Sequence, residues 1–488
     1  MLRVKALINL PFLPSAFCLL PSALCLLPSA SCPLPSALCP LPSALCLLPS
    51  AFYPIVGGLP YPVLWGSALK WEDILSDRDL QKIQALQFSD LEAATGLLKR
   101  FLNTHLPFEV VEARLRPSAV SLNSINGSLV SAEGERLFFK THVEPQSLIN
   151  EYYNSTILAE AGYPVMQPLY SSTEWGKQLL IYSFFESPSL FQIAREIELH
   201  QRQDGEDVLR VQQQADEQLR EIYLKTLQWL NAQDQAQAPI HQLFSHRLTG
   251  GRFERFYQGQ RVALPDEEIE FERLATLRWV INGLEFQHTL GELIEQAVAQ
   301  LNPTRCDGPA IVGHGDAHNG NVFINEEQTS LIYFDPAFAG RHSPLLDLAK
   351  PLFHNVFAIW MYFPQEVAAR LSIRATLDVS EKTIAVEHDF VPADFRLEIL
   401  RSKLDRVLLP VLQELQSRGW LAEDWRQYLK LALFCCPFLT MNLCDRKKFP
   451  AAIALLGLAT SIEMGSTASG NGRSILDAEL DRIVDELS

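Results

Sequence analysis

The sequence predicts a segregated α+β fold, in which a small antiparallel sheet precedes a larger helical part. Residues 109–142 are rich in β-branched residues that alternate with polar ones, and Asn126-Gly127 and Gly134 supply turn signals, a pattern typical of antiparallel strands. Residues 191–300 and the chain after residue 386 repeat apolar residues at helical intervals. Strands that come first and helices that come later favour two segregated parts over alternating βαβ units.

Length and composition restrict the class of protein. The 488 residues are enough for one two-lobed enzyme, and 48% hydrophobic with 20% charged residues is typical of a globular chain. The net charge of -16, without any run of Lys and Arg, argues against nucleic-acid binding, because a phosphate backbone is bound by basic patches. The acidic charge instead favours a neutral or cationic small-molecule partner.

Residues 1–56 differ in composition from everything that follows. A seven-residue unit such as LPSALCL recurs six times there, with a proline in every unit. Each proline removes an amide donor and costs about 3 kcal/mol in a helix interior, which argues against a membrane-spanning helix and a coiled coil. We expect a low-complexity extension that is disordered or not translated; a membrane-associating tail and a secretion signal are the alternatives.

Cysteine usage gives no sign of a disulfide or metal framework. Five of the nine cysteines fall at one phase of the repeat. The others lie outside it and share no zinc-like spacing: Cys306, Cys435, Cys436 and Cys444. A cytoplasmic location is therefore expected. The apolar run at 431–444 is too short to span a bilayer and contains Pro437, so it predicts a buried helix.

After the extension, the periodicity predicts an N-terminal, nucleotide-binding lobe at 57–186 and a helical C-terminal lobe at 187–488. The segments of the first lobe are, in order, helices over 71–102, the strands of 109–142, a helix that ends at Gly162 with a strand after it, and an interior strand within 177–185.

The segment IVGHGDAHNGNVFINEEQTSLIYFDPAFAG, residues 311–340, concentrates polar side chains between short apolar runs. Asp316 and Asp335 each follow such a run, where a carboxylate can face a cleft, and Asn321 lies five residues after Asp316. Two oxygen ligands and a separate carboxylate suit magnesium, which takes few protein ligands and shares its shell with phosphate oxygens. Phosphoryl transfer requires little more than this metal, a carboxylate for the attacking hydroxyl and a cation near the phosphates.

The sequence HGDAHNGN, followed by YFDPAFAG, resembles the catalytic loop and metal aspartate of the aminoglycoside phosphotransferase family, small-molecule kinases with a two-lobed protein-kinase-like fold. The resemblance implies that Asp316 is the catalytic base, that Asn321 and Asp335 bind magnesium, and that His314 braces the loop. Asp347 in SPLLDLAK matches a later aspartate of the family that stabilises the fold.

Upstream residues extend the resemblance to the nucleotide. Lys140 ends the apolar strand RLFFK and Glu151 opens the next helix, similar to the family's phosphate-binding lysine and helix glutamate. A lysine on an apolar strand is costly unless paired, which gives Glu151 its role. The preceding hairpin has one glycine where protein kinases have G-x-G-x-x-G, so the phosphates would be covered by the backbone and side chains of Ser124, Asn126, Gly127 and Ser128. The hinge that meets adenine would be Ser183, Phe184, Phe185 and Glu186.

These observations predict an ATP- and magnesium-dependent phosphotransferase acting on a hydroxyl of a small metabolite, such as an amino sugar or amino alcohol. Eleven residues between Asp335 and Asp347 leave no room for the long activation segment of a protein kinase. The helical insert at 191–260 and the chain after 350 are the expected walls of the acceptor pocket. The alternative is a catalytically weak, kinase-like nucleotide-binding scaffold; the oligomeric state is not indicated.

Overall fold

A computed structural model of the protein describes residues 71–116, 124–142, 154–172, 174, 176–305, 307–325, 327 and 329–488, with backbone alone at 71–78, 124, 142 and 367. The repeat predicted as a low-complexity extension, residues 1–56, lies outside the described residues. Glu151 and Cys306 also lie outside them.

The first lobe is built on a five-stranded sheet. Every strand is antiparallel to its neighbours, in the order β1-β2-β3-β5-β4: β1 (Val110–Leu115), β2 (Ser124–Ser131), β3 (Arg136–His142), β4 (Tyr170–Ser172) and β5 (Leu179–Ser183). Helices α1 (Trp71–Leu86) and α2 (Leu91–His105) cover one face, where Leu98, Ile125 and Phe139 are buried in one apolar core. The described part of α3, residues 154–161, ends at Gly162 as predicted, with φ at 109°.

The turn predicted at Asn126-Gly127 is wrong. Both residues lie inside β2, and Gly127 pairs with Leu115 on one side and Phe139 on the other. A Cβ atom at Gly127 would lie 2.0 Å from the carbonyl oxygen of Arg114 and 2.7 Å from the Phe139 ring. The glycine is therefore required by close strand packing, whereas the turn predicted at Gly134 is present, with φ at 85°.

The second lobe is mainly helical. Its helices are α4 (Leu190–Glu198), α5 (Gly205–Thr226), α6 (Ala232–Ala236), α7 (Ser245–Thr249), α8 (Arg252–Tyr257), α9 (Phe271–Leu274), α10 (Leu290–Gln300), α11 (Pro344–His354), α12 (Ile359–Tyr362), α13 (Pro364–Arg370), α14 (Asp394–Lys403), α15 (Leu409–Ser417), α16 (Trp425–Thr440), α17 (Ala451–Gly465) and α18 (Ile475–Leu487). A 3₁₀ helix occupies Pro239–Leu243, and a π-helical segment, Leu404–Leu408, joins α14 to α15.

Short strands interrupt these helices: β6 (Gln228–Leu230), β7 (Arg261–Leu264), β8 (Glu267–Glu270), β9 (Arg278–Ile281), β10 (Leu284–Glu285), β11 (Gly308–Gly313), β12 (Val322–Ile324), β13 (Leu331–Tyr333), β14 (Gly340–His342), β15 (Ala375–Val379) and β16 (Thr383–His388). Sequence periodicity over 191–300 indicated helices and missed the strands within that range. The strand β9 pairs in parallel with β16, about a hundred residues later, and a local window cannot show such a partner.

Helix α16 confirms the buried helix predicted around Pro437. It packs against α11 and α17, and its residues from Leu429 to Leu439 are buried. In the part of the chain that the structure describes, no helix has the length and apolar character needed to cross a membrane.

The architecture confirms the predicted fold class. An antiparallel-sheet lobe precedes a larger helical lobe, and the connection between them follows β5. Such segregation of strands and helices into two lobes defines an α+β protein.

Candidate active site

The loop that carries Asp316, residues 314–321, leaves the end of β11 through a glycine in a left-handed conformation. Gly315 has φ at 80°, and a Cβ atom there would lie 2.3 Å from the carbonyl oxygen of Phe338. The backbone of the loop therefore runs against the segment after Asp335. Only glycine fits this close approach.

His314 ties this loop to the residue before Asp335. Its Nε2 lies 2.8 Å from the carbonyl oxygen of Phe334, and its Nδ1 accepts a 3.3 Å hydrogen bond from the amide of Asp316. Burial lowers the pKa of His314, although the carboxylates of Asp347 and Asp316 oppose the shift. The ring is therefore neutral, with its proton on Nε2, and it connects the two segments that carry the predicted site carboxylates.

Asp347, on α11, fixes the start of the same loop. Its Oδ1 accepts a 2.5 Å hydrogen bond from the amide of Gly315 and lies 2.8 Å from Nε2 of His342, while the Tyr223 hydroxyl donates to its Oδ2. Burial raises the pKa of Asp347, but the hydrogen bonds and charge supplied by these groups outweigh burial and lower it. A buried carboxylate with this many donors stabilises the loop.

Replacing Gly315 by alanine is expected to reduce the free energy of unfolding by at least about 1–2 kcal/mol, because the left-handed backbone disfavours a Cβ atom and Phe338 blocks it. The measurement is urea unfolding of both proteins. Gly96→Ala is the matched control, since nothing lies within 4 Å of a Cβ atom at that helical position. Alanine should be neutral or stabilising there, and equal midpoints for the two variants would contradict the role given to Gly315.

The carboxylate of Asp316 lies in a buried, cationic environment. Lys350 Nζ is 3.5 Å from Asp316 Oδ1, and Asp316 keeps 14% of its side chain exposed. Burial raises the pKa of Asp316, but the positive charge of Lys350, together with the nearby His318 ring and Arg247, outweighs burial and lowers it. Asp316 is thus held in its ionised form, able to accept a hydrogen bond or a proton.

Lys350 is itself held by a hydrogen-bond chain. Its Nζ lies 3.2 Å from Nε2 of His354, whose Nδ1 lies 2.8 Å from the hydroxyl of Tyr362. An ammonium group only donates, so Nε2 of His354 accepts and Nδ1 carries the proton. Burial and the charge of Lys350 place the pKa of His354 well below its ordinary value, in agreement with a neutral ring.

Asn321 and Asp335 lie side by side. The amide of Phe334 donates to the backbone oxygen of Asn321 at 2.9 Å, and Nδ2 of Asn321 donates to the backbone oxygen of Asp316 at 3.0 Å. Oδ1 of Asn321 and the carboxylate of Asp335, which is 43% exposed, are thus oxygen groups on two segments joined by a backbone hydrogen bond. Among the described residues, no three or more His, Cys, Asp or Glu are grouped as metal ligands. Two hard oxygen donors fit magnesium, which takes its other ligands from phosphate and water.

Lys140 joins the two lobes at this point. Its Nζ donates to Asp335 Oδ1 at 2.9 Å, and 10% of its side chain is exposed. On β2, Asn126 lies directly opposite Lys140, with Ser124 and Ser128 two residues to either side. Opposed residues of an antiparallel pair share a face, so Asn126, Ser128 and Lys140 lie on one face of the sheet, whereas only the backbone of Ser124 is described. Gly127 belongs to the other face.

The predicted hinge residues point in different directions. Ser183 is the last residue of β5. The guanidinium carbon of Arg136 lies 3.9 Å from the centroid of the Phe184 ring, and Arg136 also forms a 2.9 Å ion pair with Glu186. The Phe185 ring instead contacts the helical lobe through Phe323 and Phe334, with ring centroids 5.8 and 5.3 Å apart. The hinge is therefore anchored to both lobes by side chains, and its backbone remains the part that could meet a base.

Sequence patterns missed several residues of this region. An apolar group on the face of Lys140 consists of Phe138, Met166, Leu180 and Tyr182. Phe138 lies two residues before Lys140, which is the one signal that could have placed it on that face. Lys350 and His354 come from α11, Tyr362 from α12 and Arg247 from α7, and none of them carries a local motif that connects it to Asp316.

The site thus contains a lysine paired with an aspartate between the two lobes, and a second aspartate, held in its ionised form, on a braced loop. A cation and carboxylates are the groups that phosphoryl transfer requires. The model of the phosphotransferase enzyme family matches residues 127–378, about half of the chain. The chain belongs to this family, and it is a phosphotransferase with an alcohol group as acceptor.

Solved structures of phosphotransferases are similar to the chain at low sequence identity. Macrolide 2'-phosphotransferase MphH from Brachybacterium faecium is 12% identical, with 76% of this chain and 97% of that chain covered and a TM-score of 0.34. A thermostable mutant of an aminoglycoside phosphotransferase with ADP and hygromycin B is 12% identical, with 77% and 99% covered and a TM-score of 0.41. Spectinomycin phosphotransferase with ADP and spectinomycin is 14% identical, with 75% and 98% covered and a TM-score of 0.35. No curated protein sequence matches the chain.

Proposed function

We propose that the protein transfers the γ-phosphate of ATP, in the presence of magnesium, to a hydroxyl group of a small metabolite such as an amino sugar or amino alcohol. The observation that carries the proposal is the Lys140–Asp335 pair, 2.9 Å long, which joins the sheet lobe to the segment braced against the Asp316 loop. A cation for phosphates and a carboxylate for the acceptor thus lie on segments that are connected through Asp335 and Phe334.

Each residue has a defined task in this proposal. Lys140, on the face that also carries Asn126 and Ser128, binds the phosphates, and the backbone of the hinge binds adenine. Asp316 accepts the hydrogen of the acceptor hydroxyl and orients its oxygen toward the γ-phosphorus. His314 and Asp347 hold the loop so that the carboxylate of Asp316 needs little reorganisation.

Asn321 and Asp335 would hold the magnesium ion, which, when bound, neutralises phosphate charge. The oxygen of the Asn321 side chain is directed to this task because its amide nitrogen is bound to the backbone of Asp316. That bond also links the position of the metal ligand to the position of the base.

The test is a screen of hydroxyl compounds for ADP formation, with and without magnesium, followed by detection of the phosphorylated product. The proposal predicts magnesium-dependent ADP formation that requires an acceptor. If the protein binds ATP tightly but forms no phosphorylated product from any of the hydroxyl compounds screened, the result would instead support the alternative of a nucleotide-binding scaffold.

Replacing Lys350 by methionine is expected to shift the acidic limb of the kcat profile to higher pH. Lys350 carries the largest charge effect that lowers the pKa of Asp316, so its removal raises that pKa, and the base must be ionised to act. Lys350→Met is expected to shift the pH dependence of stability in the same direction, to higher pH. A carboxyl whose pKa is lowered by folding contributes stability that is lost as the pH falls through the folded pKa, and in the variant this loss begins at higher pH.

Lys382→Met is the control for Lys350→Met, because Lys382 is exposed and its replacement removes the same charge. The pH profile of kcat and urea unfolding at several pH values are measured for both. An unmoved acidic limb in a folded Lys350→Met protein would show that Lys350 does not tune the base.

A further inference from the structure

An arginine that acts on Asp316 has no carboxylate partner among the described residues. Arg247, on α7, is half-buried, and in the described part of the chain it forms no ion pair. Its one hydrogen bond there runs from Nη1 to Oγ1 of Thr440 and is long, at 3.5 Å. Its other side-chain nitrogens have no described hydrogen-bond partner, and none of them is a fully buried atom. These donors are therefore accessible. An arginine in this state can donate two parallel hydrogen bonds to a carboxylate or phosphate.

Packing places Arg247 beside the base. Cys436 and Thr440 are four residues apart on α16 and therefore lie on one face of that helix. The thiol of Cys436 contacts the backbone oxygen of Ala349 at 3.8 Å, next to Lys350 on α11. The contact of Arg247 with Thr440 thus lies on the same face of α16 as the contact with α11, about one helical turn, roughly 5.4 Å, farther along α16.

The electrostatic effects agree with this placement. Burial lowers the pKa of Arg247, and the negative charge of Asp316 opposes that shift most strongly among the charged groups. Arg247 in turn acts on Lys350 and His354, which belong to the hydrogen-bond chain that ends at Tyr362. The one negative charge of Asp316 is balanced by the positive charge of Lys350, 3.5 Å away. The positive charge of Arg247 is therefore left without a balancing carboxylate among the described groups that act on it.

The neighbouring arginine shows that Arg247 is not simply a cap for α16. Arg252 donates from Nη1 to the backbone oxygen of Leu439 at 3.3 Å, and Tyr257 donates to the oxygen of Phe438 at 2.7 Å. The carbonyl groups of Phe438 and Leu439, near the end of the helix, therefore have other partners. Arg247 binds a side-chain hydroxyl there and leaves its remaining donors for a ligand.

We propose that Arg247 forms an anion-binding subsite beside Asp316, so that the preferred acceptor is a hydroxyl compound that also carries a carboxylate or a phosphate. The proposal rests on the phosphotransferase function proposed above and narrows its substrate class. The local positive charge opposes the net charge of -16, which by itself favoured a neutral or cationic acceptor. A hydroxy amino acid satisfies both the amino-alcohol description and the anionic group.

The experiment uses the full chain with ADP and magnesium, at constant ionic strength, and four probes that share a vicinal diol. Glycerate and glycerol 3-phosphate are the anions, glycerol is neutral, and 3-aminopropane-1,2-diol is cationic. Binding is measured by calorimetry and thermal shift for the wild type, Arg247→Met and Arg255→Met. Arg255 is exposed, lies in the same insert and loses the same charge, which makes it the matched control.

The expected result is binding of glycerate or glycerol 3-phosphate that becomes about ten- to hundredfold weaker in Arg247→Met and is unchanged in Arg255→Met. The better of the two anions distinguishes a carboxylate from a phosphate subsite. Anion binding that is absent from the wild type, or that survives in Arg247→Met, would overturn the proposal. ADP formation from ATP is measured separately. Phosphoryl transfer to glycerol or to 3-aminopropane-1,2-diol, but to neither anion, would support the proposed phosphotransferase function and overturn the anion-binding subsite. Anion binding without any transfer would keep the subsite and reject the function.

Discussion

Replacing Asp316 by asparagine is expected to lower kcat by about 10²–10⁴-fold, while ATP binding stays close to that of the wild type. A positioned base contributes a factor of this order, and asparagine retains the shape of the side chain but cannot accept a proton. ATP affinity should persist because the residues proposed to bind nucleotide, Lys140 and the hinge, come from the other lobe. The measurements are ADP release at saturating acceptor and calorimetric titration with ATP.

The control for Asp316→Asn is Asp485→Asn, which makes the same chemical change at an exposed position of α18. Because Lys350 would lose its buried partner in Asp316→Asn, unfolding by urea is followed in both proteins. Comparable losses of ATP affinity and turnover in a folded Asp316→Asn protein would remove Asp316 from the role of base.

Replacing Asp335 by alanine should weaken magnesium-dependent ATP binding by about ten- to hundredfold, because a charged ligand and the partner of Lys140 are lost together. Adenosine, which would be held by the hinge, should bind almost as well as to the wild type. Calorimetry with ATP at several magnesium concentrations, and with adenosine, measures both effects. Unchanged magnesium dependence would refute the metal role.

The backbone at Asp335 calls for a second variant. Its φ is 53°, in the left-handed region, where Asp and Asn are tolerated better than alanine. Asp335→Asn therefore keeps the backbone preference and one oxygen but removes the charge. A loss of ATP affinity in Asp335→Asn that lies between those of the wild type and Asp335→Ala would assign the effect to charge. An Asp335→Asn protein that matches the wild type would assign the effect of alanine to backbone strain.

The residues that the sequence could identify are those whose chemistry is local. His314, Asp316, Asn321 and Asp335 lie within one stretch of 22 residues, so their spacing alone predicts a shared site, and the structure places them around one loop and the strand pair that follows it. Lys140 could be found because a lysine in an apolar strand requires a partner. Its described partner, however, is Asp335, which sequence analysis had placed among the metal ligands.

The residues that the sequence could not identify depend on tertiary packing. Lys350 is one of many lysines until α11 brings it to 3.5 Å from Asp316, and Arg247 belongs to a five-residue helix without a strong period. Gly127 was misread for a related reason. The Asn-Gly pair is a local turn signal, but the requirement for glycine at this position comes from Arg114 and Phe139 on two neighbouring strands.

The burial of α11 has a consequence for how the protein can be divided. The family model ends at residue 378, yet α11, which supplies Asp347 and Lys350, packs against α16, which begins at Trp425. A fragment cut at the limits of family similarity would expose the apolar face of α11 and leave Arg247 without Thr440. A piece that carries the intact site therefore includes the chain after the matched segment, and the described residues between 71 and 488 belong to one compact unit.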